Sequence, residues 1–272
     1  MPFFVDVAVG SAAVGALRLA VVGVVGSGGV GRGVVVMAQA AKLRLHNLHL
    51  AQARRSVLEG LDGAFSSGAI TALIGANGAG KSTLVQALMG ELRPLSGKVE
   101  CSVPKARRAW LPQQLALDLS FPMSVEELVM TGSWPSHGAL KGYCAAHYRR
   151  GREIMTRLGI SALAHRPLGE LSGGQRQRAL IGRTLMQEAE LLLLDEPFAN
   201  VDSETVDILI PIIRQMADDG ATIIVVLHDM DHLKRLADAV LLLRDGHGHW
   251  LAPSEVAAPS YLSTGGRHAG SA

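Results

Sequence analysis

The sequence predicts an α/β protein: a mostly parallel sheet covered by helices, with an N-terminal antiparallel β part and an inserted α-helical subdomain. Three observations carry this reading. From residue 191 onward, short leucine-rich or β-branched runs alternate with longer amphipathic segments. At residues 69–89 a glycine-rich loop joins an apolar run to a helical segment. Between about residues 115 and 170 the strand pattern gives way to helical spacing. The chain has 272 residues, 48% hydrophobic and 18% charged, which suits a globular protein with a sizeable core.

Residues 1–36 are apolar and rich in glycine. Arg18 and the glycines between Gly23 and Gly31 argue against a membrane span. A secretory signal would have a basic start, whereas Asp6 is the first charge here. Gly26-Ser27-Gly28-Gly29-Val30-Gly31 matches G-x-G-x-x-G, but no amphipathic helix follows it. The expectation is a disordered or spurious extension, with the folded chain starting near Met37 and running over 37–272.

Residues 42–66 alternate loosely through Leu43, Leu45, Leu48, Leu50, Val57, Leu58 and Leu61, which predicts short antiparallel strands. Ala69–Ile74 reads as a buried strand and Thr83–Met89 as a helix. Residues 95–99 read as a turn into a strand, and 107–113 as a strand ending at Gln113. Val125–Thr131 and Ala145–Leu158 have helical spacing, separated by a Gly/Ser/Pro-rich stretch at 132–138. Strands are then expected at 191–194, 222–227 and 239–243, with helices at 203–216 and 230–237. The tail after Pro253 is weakly patterned.

Between the first buried strand and its helix lies Gly75-Ala76-Asn77-Gly78-Ala79-Gly80-Lys81-Ser82-Thr83, which matches G-x-x-x-x-G-K-[ST]. This strand, loop and helix predict the P-loop NTPase (RecA-like) arrangement. Glycines let the backbone wrap an anion, and the N–H groups at the helix start favour phosphate. Lys81 is expected to reach the β- and γ-phosphates of ATP, and Ser82 to hold Mg2+.

Composition excludes some classes. A net charge of +2 is too small to argue for nucleic acid or an anionic membrane surface. Aromatics at 4% argue against stacking platforms for single strands. Cys101 and Cys144 form no C-x-x-C pattern, so neither a disulfide framework nor a cysteine zinc site is expected.

The most specific motif is Leu171-Ser172-Gly173-Gly174-Gln175, continuing as Arg176-Gln177-Arg178. Ser172 can cap a helix beginning near Gln175, leaving N–H groups to face phosphate. Downstream, Leu191-Leu192-Leu193-Leu194-Asp195-Glu196 reads as a central strand ending in two acids. Asp195 is a candidate Mg2+ ligand and Glu196 the candidate general base.

Together these stretches resemble the ATP-binding subunits of ABC transporters, over residues 42–252. The resemblance implies that Ser172, Gly173, Gly174 and Gln175 bind the γ-phosphate of ATP held by a second subunit's P-loop. It also assigns Gln113 to the Q-loop (touching Mg2+ and water), Asp202 to the D-loop and His228 to the switch position contacting the γ-phosphate. The implied partners are a second copy, a multi-span membrane permease and, indirectly, an extracytoplasmic substrate-binding protein. The implied location is the cytoplasmic face of the plasma (inner) membrane, held peripherally, with no nucleic acid.

One position departs from the family. Where many members place an aromatic under adenine, this chain has Gln52, leaving His49 as an alternative. The run Pro112-Gln113-Gln114, then Asp118, Ser120-Phe121-Pro122 and Val125-Glu126-Glu127, with Glu196-Pro197-Phe198-Ala199, is similar to the zinc/manganese uptake branch. Haem and ferric-siderophore subunits look much alike here, and a non-transport ABC ATPase is the reading from another class. His247 and His249 are expected in a polar hairpin turn rather than a zinc site, since two histidines lack further ligands.

Overall fold

The computed structural model describes residues 42–52, 55–113, 121–139 and 141–256. The expected extension at 1–36, the start near Met37, Gln114, Asp118, Ser120 and the last sixteen residues lie outside the described residues.

Two long strands open the fold, β1 (Leu43–Gln52) and β2 (Arg55–Phe65). They pair antiparallel, from Leu43 against Phe65 to Gln52 against Arg55. They are longer than the short strands expected, because register shifts near Leu48 and Leu50 keep the leucines inward despite the loose alternation. The P-loop strand β3 (Ile70–Gly75) leads into α1 (Lys81–Met89). β4 (Ser96–Cys101) then joins the other edge of β1, giving a three-stranded sheet in the order β2-β1-β4.

The second sheet has six strands. β5 (Arg108–Leu111), β6 (Leu191–Asp195), β7 (Thr222–Val226), β3 and β8 (Ala239–Arg244) run parallel; β9 (His247–Leu251) closes the edge antiparallel to β8. The order is β5-β6-β7-β3-β8-β9. β3 and β7 are buried at every residue, and β6 up to Leu194, as a sheet covered on both faces requires. Alternate residues divide between two cores. Leu73, Leu191, Leu193, Ile224, Val226, Leu241 and Leu243 face α1 and the three-stranded sheet. Ile70, Ala72, Leu192, Leu194, Ile223 and Val225 face the remaining helices.

Those helices are α2 (Val125–Thr131), α3 (Trp134–His137), α4 (Ala145–Arg157), α5 (Gly173–Met186), α6 (Ser203–Asp218) and α7 (Met230–Leu236). The short α3 falls in the Gly/Ser/Pro-rich stretch between the two expected helices; Pro135 at its start suits a first helical turn. α2 begins with a capping box, Ser124 Oγ accepting from the Glu127 N–H while the Glu127 carboxylate accepts from the Ser124 N–H. α2 and α4 bury Val125, Leu128, Val129, Ile154 and Met155 in the same core as α5 and the sheet. His247 and His249 stand on β9 itself, and the turn is Asp245-Gly246. The expected place of the histidines in the turn gives way because φ values of 50° and 79° suit Asp245-Gly246 to the turn, so the histidines are free to extend.

Candidate nucleotide site

The phosphate-binding loop, both acids, Gln113 and His228 all fall at the carboxyl ends of parallel strands. The loop follows β3, Asp195 ends β6, Gln113 lies two residues beyond β5 and His228 two beyond β7. Strand order therefore brings together residues that lie as far apart in the chain as positions 81 and 228. A cavity of about 430 Å3 is lined by Gln52, Val57, Asn77, Gly78, Gly80, Lys81, Ser82, Thr83, Gln113, Asp195 and Glu196.

Within it the loop is shaped by its neighbours. A Cβ at Gly80 would lie 2.6 Å from Val57 Cγ1, and its φ is +98°, so only glycine fits where β2 presses on the loop. The Lys81 ammonium donates to the carbonyls of Gly75 (2.7 Å) and Ala76 (3.1 Å), which leaves its third proton for a phosphate oxygen. Burial pushes the Lys81 ammonium below its ordinary pKa, against the opposing pull of Glu196 and Asp195. The buried Thr83 hydroxyl donates to Gln52 Oε1 at 3.3 Å, so its side chain is committed to the β-sheet side of the cavity.

The acids are held differently. Asp195 is half-buried and its carboxyl is pushed up, first by burial and then by the neighbouring Glu196 charge. Lys81 and His228 oppose that shift. Glu196 has φ +51°, a conformation that non-glycine residues adopt rarely, and its carboxylate is gripped from two sides. Gln113 Nε2 donates to Oε2 at 2.6 Å, and His228 Nε2 lies 2.6 Å from Oε1. An ionised carboxylate only accepts, so His228 carries its proton on Nε2. Each Glu196 oxygen still has a lone pair for a water.

The donor set suits Mg2+. The Ser82 hydroxyl, the Asp195 carboxylate and the Gln113 carboxamide oxygen are hard oxygen donors, few enough for an ion that keeps several waters. Two crowded acids with one raised carboxyl are also the arrangement a dication relieves.

The signature residues lie elsewhere. Ser172 caps α5: its Oγ accepts the Gln175 N–H at 3.2 Å, and Gln175 Oε1 accepts the Ser172 N–H at 3.1 Å. The cap consumes both side chains and leaves the Gly173 and Gly174 N–H groups outside it. A Cβ at Gly174 would meet Thr205 Oγ1 at 2.7 Å, so this turn packs directly on the start of α6. There Asp202 is the cap, its Oδ1 accepting the Thr205 N–H at 2.7 Å; that bond holds the carboxyl below its ordinary pKa. None of Ser172, Gly173, Gly174, Gln175 and Asp202 lines the cavity that holds Lys81 and Glu196.

Three further residues had no role at the site assigned from the sequence. Val57 shapes the loop, and Gln177 Nε2 donates to the Pro197 carbonyl at 2.8 Å, tying α5 to the segment after Glu196. Asp229 caps α7 through the N–H groups of Asp231 and His232, fixing the backbone next to His228. Two of these left a signal in the sequence: Gln177 stands in the signature run, and Asp229 is an acid opening a helix. The imidazole of His49 pairs with Asn47 Oδ1 at 3.2 Å and is not part of the cavity wall.

Residues 58–199 match the ABC transporter family model. The zinc transport ATP-binding protein TroB of Treponema pallidum is 38% identical over 213 residues, 76% of this chain and 80% of that protein. The manganese transport ATP-binding protein MntA of a Synechocystis strain is 40% identical over 183 residues, 65% of this chain and 70% of that protein. Among solved structures, a metal-chelate type ABC transporter in an inward-facing conformation superposes with a TM-score of 0.71 at 29% identity, covering 79% of this chain and 84% of that one. A phosphate-binding loop, two acids, a capped signature helix and a family match spanning them lead to one conclusion: this chain belongs to the ABC transporter family and is an ATP-binding, ATP-hydrolysing subunit.

Proposed function

We propose that this chain drives uptake of a divalent metal ion, zinc or manganese, through a separate multi-span permease. It works from the cytoplasmic face of the plasma membrane, with an extracytoplasmic binding protein delivering the ion. Among the described residues no helix is long and apolar enough to cross a membrane, which supports a division of labour with another chain. The metal reading rests on likeness to relatives named for zinc and manganese transport, and on the run Phe121-Pro122 to Glu127 that follows Gln113. The metal is cargo and does not touch this subunit.

The mechanism follows from the separation of the two half-sites. Two copies close on two ATP molecules, each held by one chain's P-loop and covered by the other chain's Gly173 and Gly174 N–H groups. The observation that carries this is that Gly173, exposed at the start of α5, keeps its N–H outside the Ser172–Gln175 cap, in a turn that is not part of the cavity lined by Lys81 and Glu196. Mg2+, held by Ser82, Asp195 and Gln113, would neutralise charge on the β- and γ-phosphates. Lys81 places its ammonium on the phosphate oxygens. Glu196, aimed by Gln113 and His228, accepts a proton from the water whose oxygen bonds to the γ-phosphorus as the bond to ADP breaks. Closure and release move the permease.

The test is accumulation of zinc and manganese in metal-starved cells lacking the gene, restored with the wild-type chain or Glu196→Gln. Rescue of zinc or manganese uptake by the wild-type chain alone is the expected result. If neither metal responds, the metal assignment falls while the ATPase assignment stands.

A further inference from the structure

We infer that Arg55, at the start of β2, is the residue that holds the nucleotide's base, resting on the reading of the P-loop cavity as an ATP site. The phosphate cavity does not end at Gly78. A second cavity, about 680 Å3, shares Gln52, Val57 and Gly78 with it and continues away from Lys81. Its remaining wall is Arg55, Ser56, Glu59, Asp245 and Gly246. A triphosphate seated on Lys81 therefore has its nucleoside end directed between β2 and the β8–β9 turn. The Glu59 N–H donates to the Gly246 carbonyl at 2.8 Å and fixes the width of that cleft.

The wall chemistry then selects the occupant. Among the described residues the cleft contains no aromatic ring to stack on a purine. Gln52 is not a free amide, because its Oε1 is the acceptor of the Thr83 hydroxyl. Val57 supplies an apolar surface, fixed by its contact with Gly80. Among the described residues Arg55 is the one planar cation in the wall, exposed at the cavity rim, and guanidinium planes lie well on aromatic rings. Glu59, whose Oε1 accepts from Ser56 Oγ at 2.7 Å, keeps a second carboxylate oxygen for an exocyclic amine. The base is thus held between an aliphatic surface and a guanidinium instead of under an aromatic ring.

The test compares Mg2+-ATP with Mg2+-tripolyphosphate, which has the charge without the nucleoside, by titration calorimetry on the full chain. Arg55→Ala is expected to weaken ATP roughly three- to thirty-fold while leaving tripolyphosphate unchanged. Arg55→Tyr, which restores a stacking surface, is expected to recover ATP affinity. Equal weakening of both ligands would make Arg55 a phosphate contact and overturn the inference, as would no change in either. Lys81→Ala is the separate control: it weakens both ligands if the P-loop reading holds, and if it weakens neither, that reading fails independently of Arg55.

Discussion

The P-loop cavity and the signature turn are built on opposite principles. Around the cavity, side chains do the work: Lys81, Asp195, Glu196, Gln113 and His228 converge from four strand ends, where Gln113 and His228 bond to Glu196 and Lys81 bonds to the loop. At the signature turn, the side chains of Ser172 and Gln175 are spent on capping α5, and what remains to meet a ligand is backbone. The first region carries specific proton and charge chemistry. The second offers the fixed N–H groups and dipole of a helix start, which bind an anion without reacting with it. Two such incomplete regions in one chain make sense if each finishes the other's site in a second copy.

That contrast breaks first at the cavity. Glu196→Gln keeps the shape but removes the proton acceptor, so ATP hydrolysis should fall by about 10²–10⁴-fold with ATP affinity nearly unchanged. Turnover close to wild type would remove Glu196 as the base. Lys81→Ala should instead abolish tight ATP binding, read by calorimetry. At the signature turn, Gly174→Val should stop hydrolysis while one chain's ATP affinity survives, because a Cβ there displaces the turn from Thr205 and not the P-loop. Ser172→Ala should lower both ATPase rate and stability, the latter by about 1 kcal/mol for a lost cap. Thermal melts beside rate measurements separate the two effects.

The smallest effects are in pH. Asp195 has a raised carboxyl, so folding favours its neutral form. Its stabilising contribution is full below the ordinary carboxylate pKa and is lost as pH rises through the raised one. Asp195→Asn should therefore raise the melting temperature at neutral pH while eliminating Mg2+-dependent hydrolysis. Asp229 has the opposite sign. Its carboxyl is held low, mainly by the His232 N–H, so its contribution is present above the ordinary pKa and lost as pH falls through the lowered one. Asp229→Asn should flatten the acid end of the melting curve, and an unchanged acid limb would contradict this.

Much of the site was legible in sequence because its motifs are contiguous. The P-loop and the signature each place donors through local backbone geometry, and four leucines before Asp195 mark a central strand. What the sequence left open is what depends on strand order. Gln113 and Glu196 are 83 residues apart, and His228 and Glu196 are 32 apart, yet all three share hydrogen bonds because β5, β6 and β7 are neighbours. Thr83 reads as one more phosphate-loop residue, but its hydroxyl faces Gln52 across the sheet boundary. His247 and His249 read as a turn, but the Asp-Gly pair just before them turns the chain and they extend β8's partner strand. In each case local pattern identified the residue, and packing decided which way its side chain went.

The division between the two regions is tested most directly by the association state of the full-length Glu196→Gln chain, measured by light scattering with and without Mg2+-ATP. Monomers are expected without nucleotide, dimers with it, and monomers with bound ATP when Gly174→Val is added. A Glu196→Gln chain that binds ATP tightly and remains monomeric at every concentration would contradict a site shared between two copies.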